Sequence, residues 1–319
     1  MSLDLNTTQL SRIADALDRL SQQSAAPTTD WSAVAFRWRN ANKSASKSSA
    51  NAAMHGGYLQ PVRHVGSMDL ASLQHIDTQK SKIVQNTQQF VRGLPANNVL
   101  LTGARGTGKS SLIRACLHAF SPQGLRLVEI DKDDLTDLPD VVEQLATRSE
   151  RFIVYCDDLS FEEGEGAYKA MKSALDGSIA AQTDNVLIYA TSNRKHLMPE
   201  YHAENASYQH TDDGEIHPGD VVEEKISLSE RFGLWVSFHP FTQNDYLDIV
   251  AHWLAGFNHT LDDDAKFYAL QWALERASRS GRVAQQFARD WAGKKASTAA
   301  PTAPRPIGQS VKLSAEERL

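Results

Sequence analysis

The sequence predicts an α/β fold with a parallel sheet of five strands and a small all-helical domain that follows it. Short apolar runs alternate with helical patterns through the middle of the chain, which is typical of a parallel sheet. The runs lie at 98–102, 125–130, 152–158, 185–193 and 234–238. After Pro240, helical patterns follow one another without a further strand.

A glycine-rich segment follows the first predicted strand. Residues 103–110 read Gly-Ala-Arg-Gly-Thr-Gly-Lys-Ser, which fits the Walker A pattern Gly-x-x-x-x-Gly-Lys-Ser, and a helical pattern follows at 111–117. Glycines let the backbone turn its N–H groups toward one anion, and a helix N-terminus adds donors and a partial positive charge. The sequence therefore predicts a P-loop NTPase that binds ATP. The expected phosphate-binding residues are Gly103, Ala104, Arg105, Gly106, Thr107, Gly108, Lys109, Ser110 and Ser111.

Composition limits the class of protein. The chain has 319 residues, of which 41% are hydrophobic and 23% charged, so it can bury a globular core. The formal net charge of −6 gives no general attraction for nucleic acid. No apolar run reaches the roughly 18 residues that span a bilayer, so we expect no membrane insertion. Cys116 and Cys156 lack metal or redox spacing, and residues 1–10 lack signal-peptide features, so we expect a cytoplasmic protein without a metal site built on histidine or cysteine.

The region 1–57 is expected to combine an amphipathic helix with a flexible arm. Residues 1–22 show a heptad pattern, and this helix either packs on its own domain or binds a partner. Residues 24–57 are rich in Ser, Ala and Asn, which is typical of a loose segment. Within them, residues 31–47 carry four basic side chains, three aromatic ones and no acid. That mixture fits either a solvated arm with a tryptophan anchor or a surface for nucleic acid.

The predicted P-loop core spans residues 58–240, and polar groups end two of its later strands. Asp157 and Asp158 close the run at 152–158, which is the Walker B pattern. We expect Ser110 and Asp157 to hold Mg²⁺, and Asp158 to polarise the attacking water. Asn193 ends the next run, where it either orients water against the γ-phosphate or caps a helix.

The remaining core segments are helices and loops. Helical patterns lie at 83–91, 141–147 and 167–179, with a predicted acidic loop at 131–139 and a long polar surface loop at 199–229. Arg231 precedes the last strand, and it is either a salt-bridge residue or a guanidinium that reaches the phosphate of a neighbouring subunit.

A helical lid is expected at 241–293. Its helices are predicted at 244–257, 262–279 and 282–291, and the last has apolar residues at every fourth position. Residues 294–319 are rich in Ala, Pro and Thr, which predicts a disordered tail.

These motifs together resemble an AAA+ ATPase, and more closely the bacterial family known as domain of unknown function eight-one-five. The likeness runs from residue 10 to residue 291 and is carried by residues 10–17, 98–111, 156–161, 189–194 and 224–234. It implies that Asn193 acts as sensor 1, Arg231 as an arginine finger in trans, and Arg282 as the sensor 2 arginine of the lid. Asp158 departs from the glutamate that many AAA+ proteins have there. It resembles the paired aspartates of the bacterial replication initiator, whose cycle is slow and switch-like.

The sequence therefore favours an ATPase that uses Mg²⁺, completes its site in a homo-oligomer and remodels an unidentified protein partner. Its expected catalytic residues are Lys109, Asp158, Asn193, Arg231 and Arg282. One alternative is a slow nucleotide-dependent switch or scaffold. Another is a loader for nucleic-acid machinery, which the basic and aromatic residues at 31–47 support. A threading unfoldase is disfavoured because the loop after the second strand has neither an aromatic residue nor glycine. A P-loop kinase is disfavoured because it needs no finger arginine and lid in this order.

Overall fold

A computed structural model of the protein describes residues 12, 29–40, 57–66, 68–161, 166–176, 184–193, 209–210, 216–217 and 228–298. The predicted helix at 1–22 therefore lies outside the described residues, apart from Arg12. The tail beyond residue 298 also lies outside them. Within the predicted loop at 199–229, two short strands, Gln209–His210 and Ile216–His217, pair antiparallel.

A sheet of seven strands lies at the centre of the fold. The strands are β1 (Ala35–Asn40), β2 (Gly57–Pro61), β3 (Val99–Gly103), β4 (Leu125–Glu129), β5 (Arg151–Cys156), β6 (Val186–Ser192) and β7 (Leu234–Phe238). Their order across the sheet is β2-β1-β4-β5-β6-β3-β7. The five predicted strands are present and run parallel, and β1 pairs parallel with β4. Only β2, antiparallel to β1, runs the other way.

The prediction of five strands was wrong. The segment that was predicted to be a flexible arm contributes β1, and β2 follows it. Phe36 and Trp38 alternate with Arg37 and Arg39, and this period of two places the aromatics in the core and the arginines outside. Trp38 is 1% exposed, and its indole nitrogen donates to the Asp137 carboxylate at 2.9 Å. Residues 35–40 therefore form part of the core and are not a solvated arm.

Helices cover both faces of the sheet. On one face, α1 (Asp77–Val91) and α2 (Lys109–Phe120) bury their apolar sides against the strands. On the other face, α3 (Leu138–Ala146) and α4 (Gly166–Asp176) do the same. The predicted acidic loop at 131–139 is instead largely a 3-10 helix, Lys132–Asp137, because Leu135 within it is buried in the core.

Three further helices form the helical lid: α5 (Gln243–Ala255), α6 (Asp263–Glu275) and α7 (Gly281–Thr298). They share their own apolar core. Thr242 and Asp245 form a reciprocal capping box at the start of α5. Helix α7 continues to Thr298, so residues 294–298 belong to the lid and not to the predicted disordered tail. Among the helices that the structure describes, none is long and apolar enough to cross a membrane.

Candidate functional site

The glycine-rich loop lies between the end of β3 and the start of α2. Gly103 and Gly106 have φ values of 119° and 73°, in the left-handed region that glycine tolerates best. Space also demands glycine at 103, since a Cβ there would lie 2.0 Å from the Phe238 carbonyl oxygen. The loop therefore leads directly to the N-terminus of α2, whose unpaired N–H groups and dipole favour an anion.

Lys109 is held across this loop. Its Nζ donates to the carbonyl oxygens of Gly103 at 2.7 Å and Ala104 at 2.8 Å, and to Asn193 Oδ1 at 3.0 Å. Burial lowers the pKa of the Lys109 ammonium, and the charges of Asp157 and Asp158 partly offset that effect. The side chain is thus positioned and desolvated at the point where a phosphate would enter the loop.

Ser110 and Asp157 meet beside the start of α2. Ser110 Oγ donates to Asp157 Oδ1 at 2.8 Å, and Thr191 Oγ1 donates to the same oxygen at 2.6 Å. Burial works against ionisation, but hydrogen bonds from Thr191 and Ser110 help to lower the pKa of the Asp157 carboxyl. A hydroxyl next to an ionised carboxylate is a ligand set that Mg²⁺ accepts together with phosphate oxygens and water. The residues present therefore fit this ion.

Asn193 links Lys109 to Asp158. Its Oδ1 accepts from Lys109, and its Nδ2 donates to Asp158 Oδ1 at 2.5 Å. Asp158 has a φ of 55°, and its N–H donates to Thr191 Oγ1 at 2.9 Å. Arg105 Nη2 lies 3.8 Å from the second oxygen of Asp158. The ends of β3, β5 and β6 thus bring the Walker A lysine, both aspartates and Asn193 into one group.

Thr191 is a site residue that the sequence reasoning missed. It contacts both Asp157 and Asp158, because the ends of β5 and β6 lie side by side in the sheet. Its position at the end of an apolar run, two residues before Asn193, is the sequence feature that could have indicated this role.

The lid packs directly on the glycine-rich loop. The Gly281 N–H donates to the Gly106 carbonyl oxygen at 2.9 Å. Ser280 packs so closely that a Cβ on Gly106 would lie 2.6 Å from Ser280 Cβ. Arg282 begins α7 beside the same loop, and its side chain is exposed. These contacts place the first turn of α7 against the glycine-rich loop.

A cleft of about 790 Å³ opens between the loop and the lid. Its walls include Arg105, Thr107, Phe241, Leu270, Leu274 and Arg279. Apolar walls with a few polar groups are typical of small-ligand sites. Arg279 is a second arginine of the lid that the sequence reasoning missed.

In the part of the chain that the structure describes, Arg231 pairs with an acidic residue of α4. Its Nε lies 2.5 Å from Asp176 Oδ1, at the C-terminal end of α4. The salt bridge that the sequence left open as one alternative is therefore present.

The parallel sheet, the glycine-rich loop, the carboxylates at the sheet edge and the helical lid are those of a P-loop fold of the AAA+ class. The particular family follows from a sequence comparison. A family model described as "Protein of unknown function (DUF815)" matches residues 33–295, and the chain belongs to this family. No curated protein matches the chain.

Solved structures with a similar fold include two from Thermotoga maritima. One is described as the RuvB Holliday junction branch migration motor, at 16% identity and a TM-score of 0.45, covering 68% of this chain and 60% of that one. The other is domain III of the replication initiation protein DnaA, at 13% identity and a TM-score of 0.47, covering 74% and 91%. A HORMA:CdnC:Trip13 complex from E. coli MS115-1 matches at 14% identity and a TM-score of 0.45, with the same coverage of 74% and 91%. All of these similarities are distant.

Proposed function

We propose that the protein is an ATPase that hydrolyses ATP to ADP and phosphate, and that its turnover requires assembly with further copies. The observation that carries the proposal is the hydrogen-bonded series Lys109–Asn193–Asp158 beside the Ser110–Asp157 pair. It joins a phosphate-binding cation, a water-polarising carboxylate and a place for a cation at one sheet edge. Phosphoryl transfer needs little more than such positioning and charge stabilisation.

Phosphate binding falls to the loop and to Lys109. The ammonium now donates to two backbone carbonyls of its own loop, which are neutral acceptors. Phosphate oxygens are charged and accept stronger hydrogen bonds, so the β- and γ-phosphates can replace those carbonyls as partners. Ser110 and Asp157 would hold Mg²⁺, which supplies neutralising charge to the phosphates.

Asp158 is the residue placed to polarise the attacking water. Asn193 donates to its Oδ1, and its Oδ2, which lies 3.8 Å from the exposed guanidinium of Arg105, is the oxygen that would accept from the attacking water. The positive φ of Asp158 directs the chain away from β5 at this point, and Thr191 holds its N–H. Asn193 contacts Lys109 as well, so it can orient water with respect to the γ-phosphate.

The proposed requirement for further copies follows from the positions of Arg231 and Arg282. Arg231 pairs with Asp176 within its own chain, and it would have to leave this ion pair to reach the phosphate of a neighbouring copy. An arginine supplied in trans typically raises the rate of phosphoryl transfer by roughly 10³–10⁵. Arg282 at the start of α7 would serve the site of its own chain from the lid. The closed assembly would act on a protein partner.

A slow nucleotide-dependent switch is the second candidate, favoured by the direct contact between Gly281 and Gly106. Through that contact, occupancy of the loop would be reported to the lid, and a partner would read the lid position. A role as a loader for nucleic-acid machinery is less well supported, because the described residues of 31–47 do not form an exposed basic and aromatic surface. Phe36 and Trp38 are buried, and Arg37 pairs with Glu129 at 2.7 Å.

The test is the rate of Mg-ATP hydrolysis per protomer across a wide range of protein concentration. We expect the specific rate to rise with concentration, because the site is completed between copies. Lys109→Ala should abolish binding of ATP, Asp158→Asn should retain binding without turnover, and Arg231→Ala should retain binding with turnover lowered by at least roughly 10³. A rate independent of concentration would remove the trans arginine, and retained binding in Lys109→Ala would sink the assignment of the site.

A further inference from the structure

His75 joins the core to the helical lid through both of its ring nitrogens. Nδ1 lies 3.2 Å from Asp245 Oδ1, and Nε2 lies 3.1 Å from Asp248 Oδ2. Both carboxylates belong to α5, whereas His75 lies in the core segment that precedes α1. His75 also has a φ of 59°, in the left-handed region, where histidine is more common than most other side chains.

The segment around His75 lies against the phosphate loop. A Cβ on Gly108 would be 3.4 Å from Ile76 Cδ1 and 3.8 Å from Leu73 Cδ2. Lys80 of α1 fixes this segment, because its Nζ donates to the Leu73 carbonyl oxygen at 3.0 Å. One short stretch, residues 73–76, therefore contacts the glycine-rich loop on one side and the lid on the other.

The arrangement suits the imidazolium and not the neutral ring. A neutral imidazole donates from one nitrogen only, and its other nitrogen presents a lone pair, which a carboxylate oxygen repels. The charged groups facing His75 are Asp245 and Asp248 from α5 and, from α1, Asp77 with its ion-pair partner Lys80. Three carboxylates against one ammonium group leave the surroundings of the ring negative.

We propose that His75, charged and held between Asp245 and Asp248, is a positioning residue that fixes the lid over the phosphate loop. It follows that removing the imidazole, or one of the two carboxylates that hold it, loosens the lid and lowers nucleotide affinity. The second consequence rests on the proposed nucleotide site, whereas the first concerns the lid alone.

The experiment measures lid position and nucleotide affinity separately on the full chain. Spin labels on Lys82→Cys in α1 and Gln271→Cys in α6 report the distance between core and lid without nucleotide. Both positions are exposed, and the native Cys116 and Cys156 are buried away from the label. Affinity is measured with fluorescent ADP and Mg²⁺. Each measurement is made at one fixed pH on the parent, His75→Gln, His75→Arg and Asp248→Asn.

His118→Gln is the matched control, because His118 also faces a carboxylate, Asp69 at 3.4 Å, but does not touch the lid. We expect a narrow distance distribution for the parent and for His118→Gln. His75→Arg keeps a positive charge that can pair with both carboxylates and should stay narrow, whereas His75→Gln should be broad. The ADP affinity of His75→Gln should be roughly three- to tenfold lower than that of the parent, as expected for the loss of two partly exposed ion pairs. Asp248→Asn, a surface change that leaves the cap of α5 intact, should show an intermediate effect.

The outcomes separate the two ideas. If His75→Gln and the parent share one distribution of the label distance, the role of His75 is refuted even though ADP binds. If the distances behave as expected and ADP binds neither to the parent nor to any variant, the proposed nucleotide function fails and the role of His75 in the lid stands.

Discussion

Replacing Gly106 by alanine tests whether the lid rests on the phosphate loop. The new Cβ would lie 2.6 Å from Ser280 Cβ and 2.7 Å from Ser280 Oγ. Carbon atoms in contact are normally separated by about 3.5–4.0 Å, so Ser280 has to move, and the first turn of α7 moves with it. Alanine would also occupy a φ of 73°, which disfavours any side chain.

Two other glycines separate these contributions. Gly124 has a φ of 97° with open space around its Cβ position, and Gly293 lies within α7 with open space. Gly124→Ala should therefore lower the free energy of unfolding by the backbone term alone, about 1–2 kcal/mol. Gly293→Ala should raise it by about 0.5–1 kcal/mol through helix propensity. Gly106→Ala adds a steric term of about 1–3 kcal/mol to the backbone term, which gives a loss of about 2–5 kcal/mol.

The assay is urea unfolding of the three variants, with ADP affinity as a second readout. Ser280→Gly in the Gly106→Ala background removes the opposing Cβ and should recover most of the steric loss. Ser280→Gly alone should cost only a few tenths of a kcal/mol, from the weak cap that Ser280 Oγ gives the Val283 N–H at 3.3 Å. If Gly106→Ala costs no more than Gly124→Ala, or if glycine at 280 recovers nothing, the lid does not rest on the loop.

Two further predictions concern stability. Trp38→Ala should lower the free energy of unfolding by about 3–5 kcal/mol, because β1 is part of the core. Phe267→Ala, at a residue that is 65% exposed, should change it by no more than about 0.5 kcal/mol. Equal losses in the two variants would contradict the placement of β1. Burial opposes ionisation of the Asp157 carboxyl, but its hydrogen bonds outweigh burial and lower its pKa. The ionised carboxylate therefore stabilises the fold fully at pH values above the pKa of the unfolded chain. This stabilisation is lost as the pH falls through the pKa of the folded state. Urea midpoints should therefore fall less steeply from about pH 7 to about pH 3 for Asp157→Asn than for the parent, and parallel curves would show that Asp157 has no lowered pKa.

The phosphate loop and the strand ends could be predicted because their chemistry is local in sequence. Gly103 to Ser110 must be consecutive to form the loop, and Asp157 and Asn193 each follow a recognisable apolar run. Strand β1 was missed for the opposite reason. Its alternation of two aromatics and two arginines is short and lies in a stretch rich in Ser, Ala and Asn, and its pairing with β4 is not encoded in any nearby residue.

The remaining site contacts join residues that are far apart in the chain. Thr191 reaches both aspartates only because β5 and β6 are neighbours in the sheet. His75 meets Asp245 and Asp248 across the junction between the core and the lid. Neither relation has a spacing that a sequence pattern could show, since each depends on strand order or on the docking of the lid.

These contacts hold the phosphate loop from two sides. The Gly106 carbonyl oxygen accepts a hydrogen bond from the Gly281 N–H at the start of α7. Residues 73–76 pack against Gly108, and His75 of this segment is paired with α5. A contact at one point would let the lid rotate about it, whereas a second contact, between His75 and α5, resists that rotation. Both contacts would then hold the loop in the shape that binds phosphate. Because coupling between sites is reciprocal, a change that weakens either lid contact should weaken nucleotide binding, and bound nucleotide should strengthen both contacts.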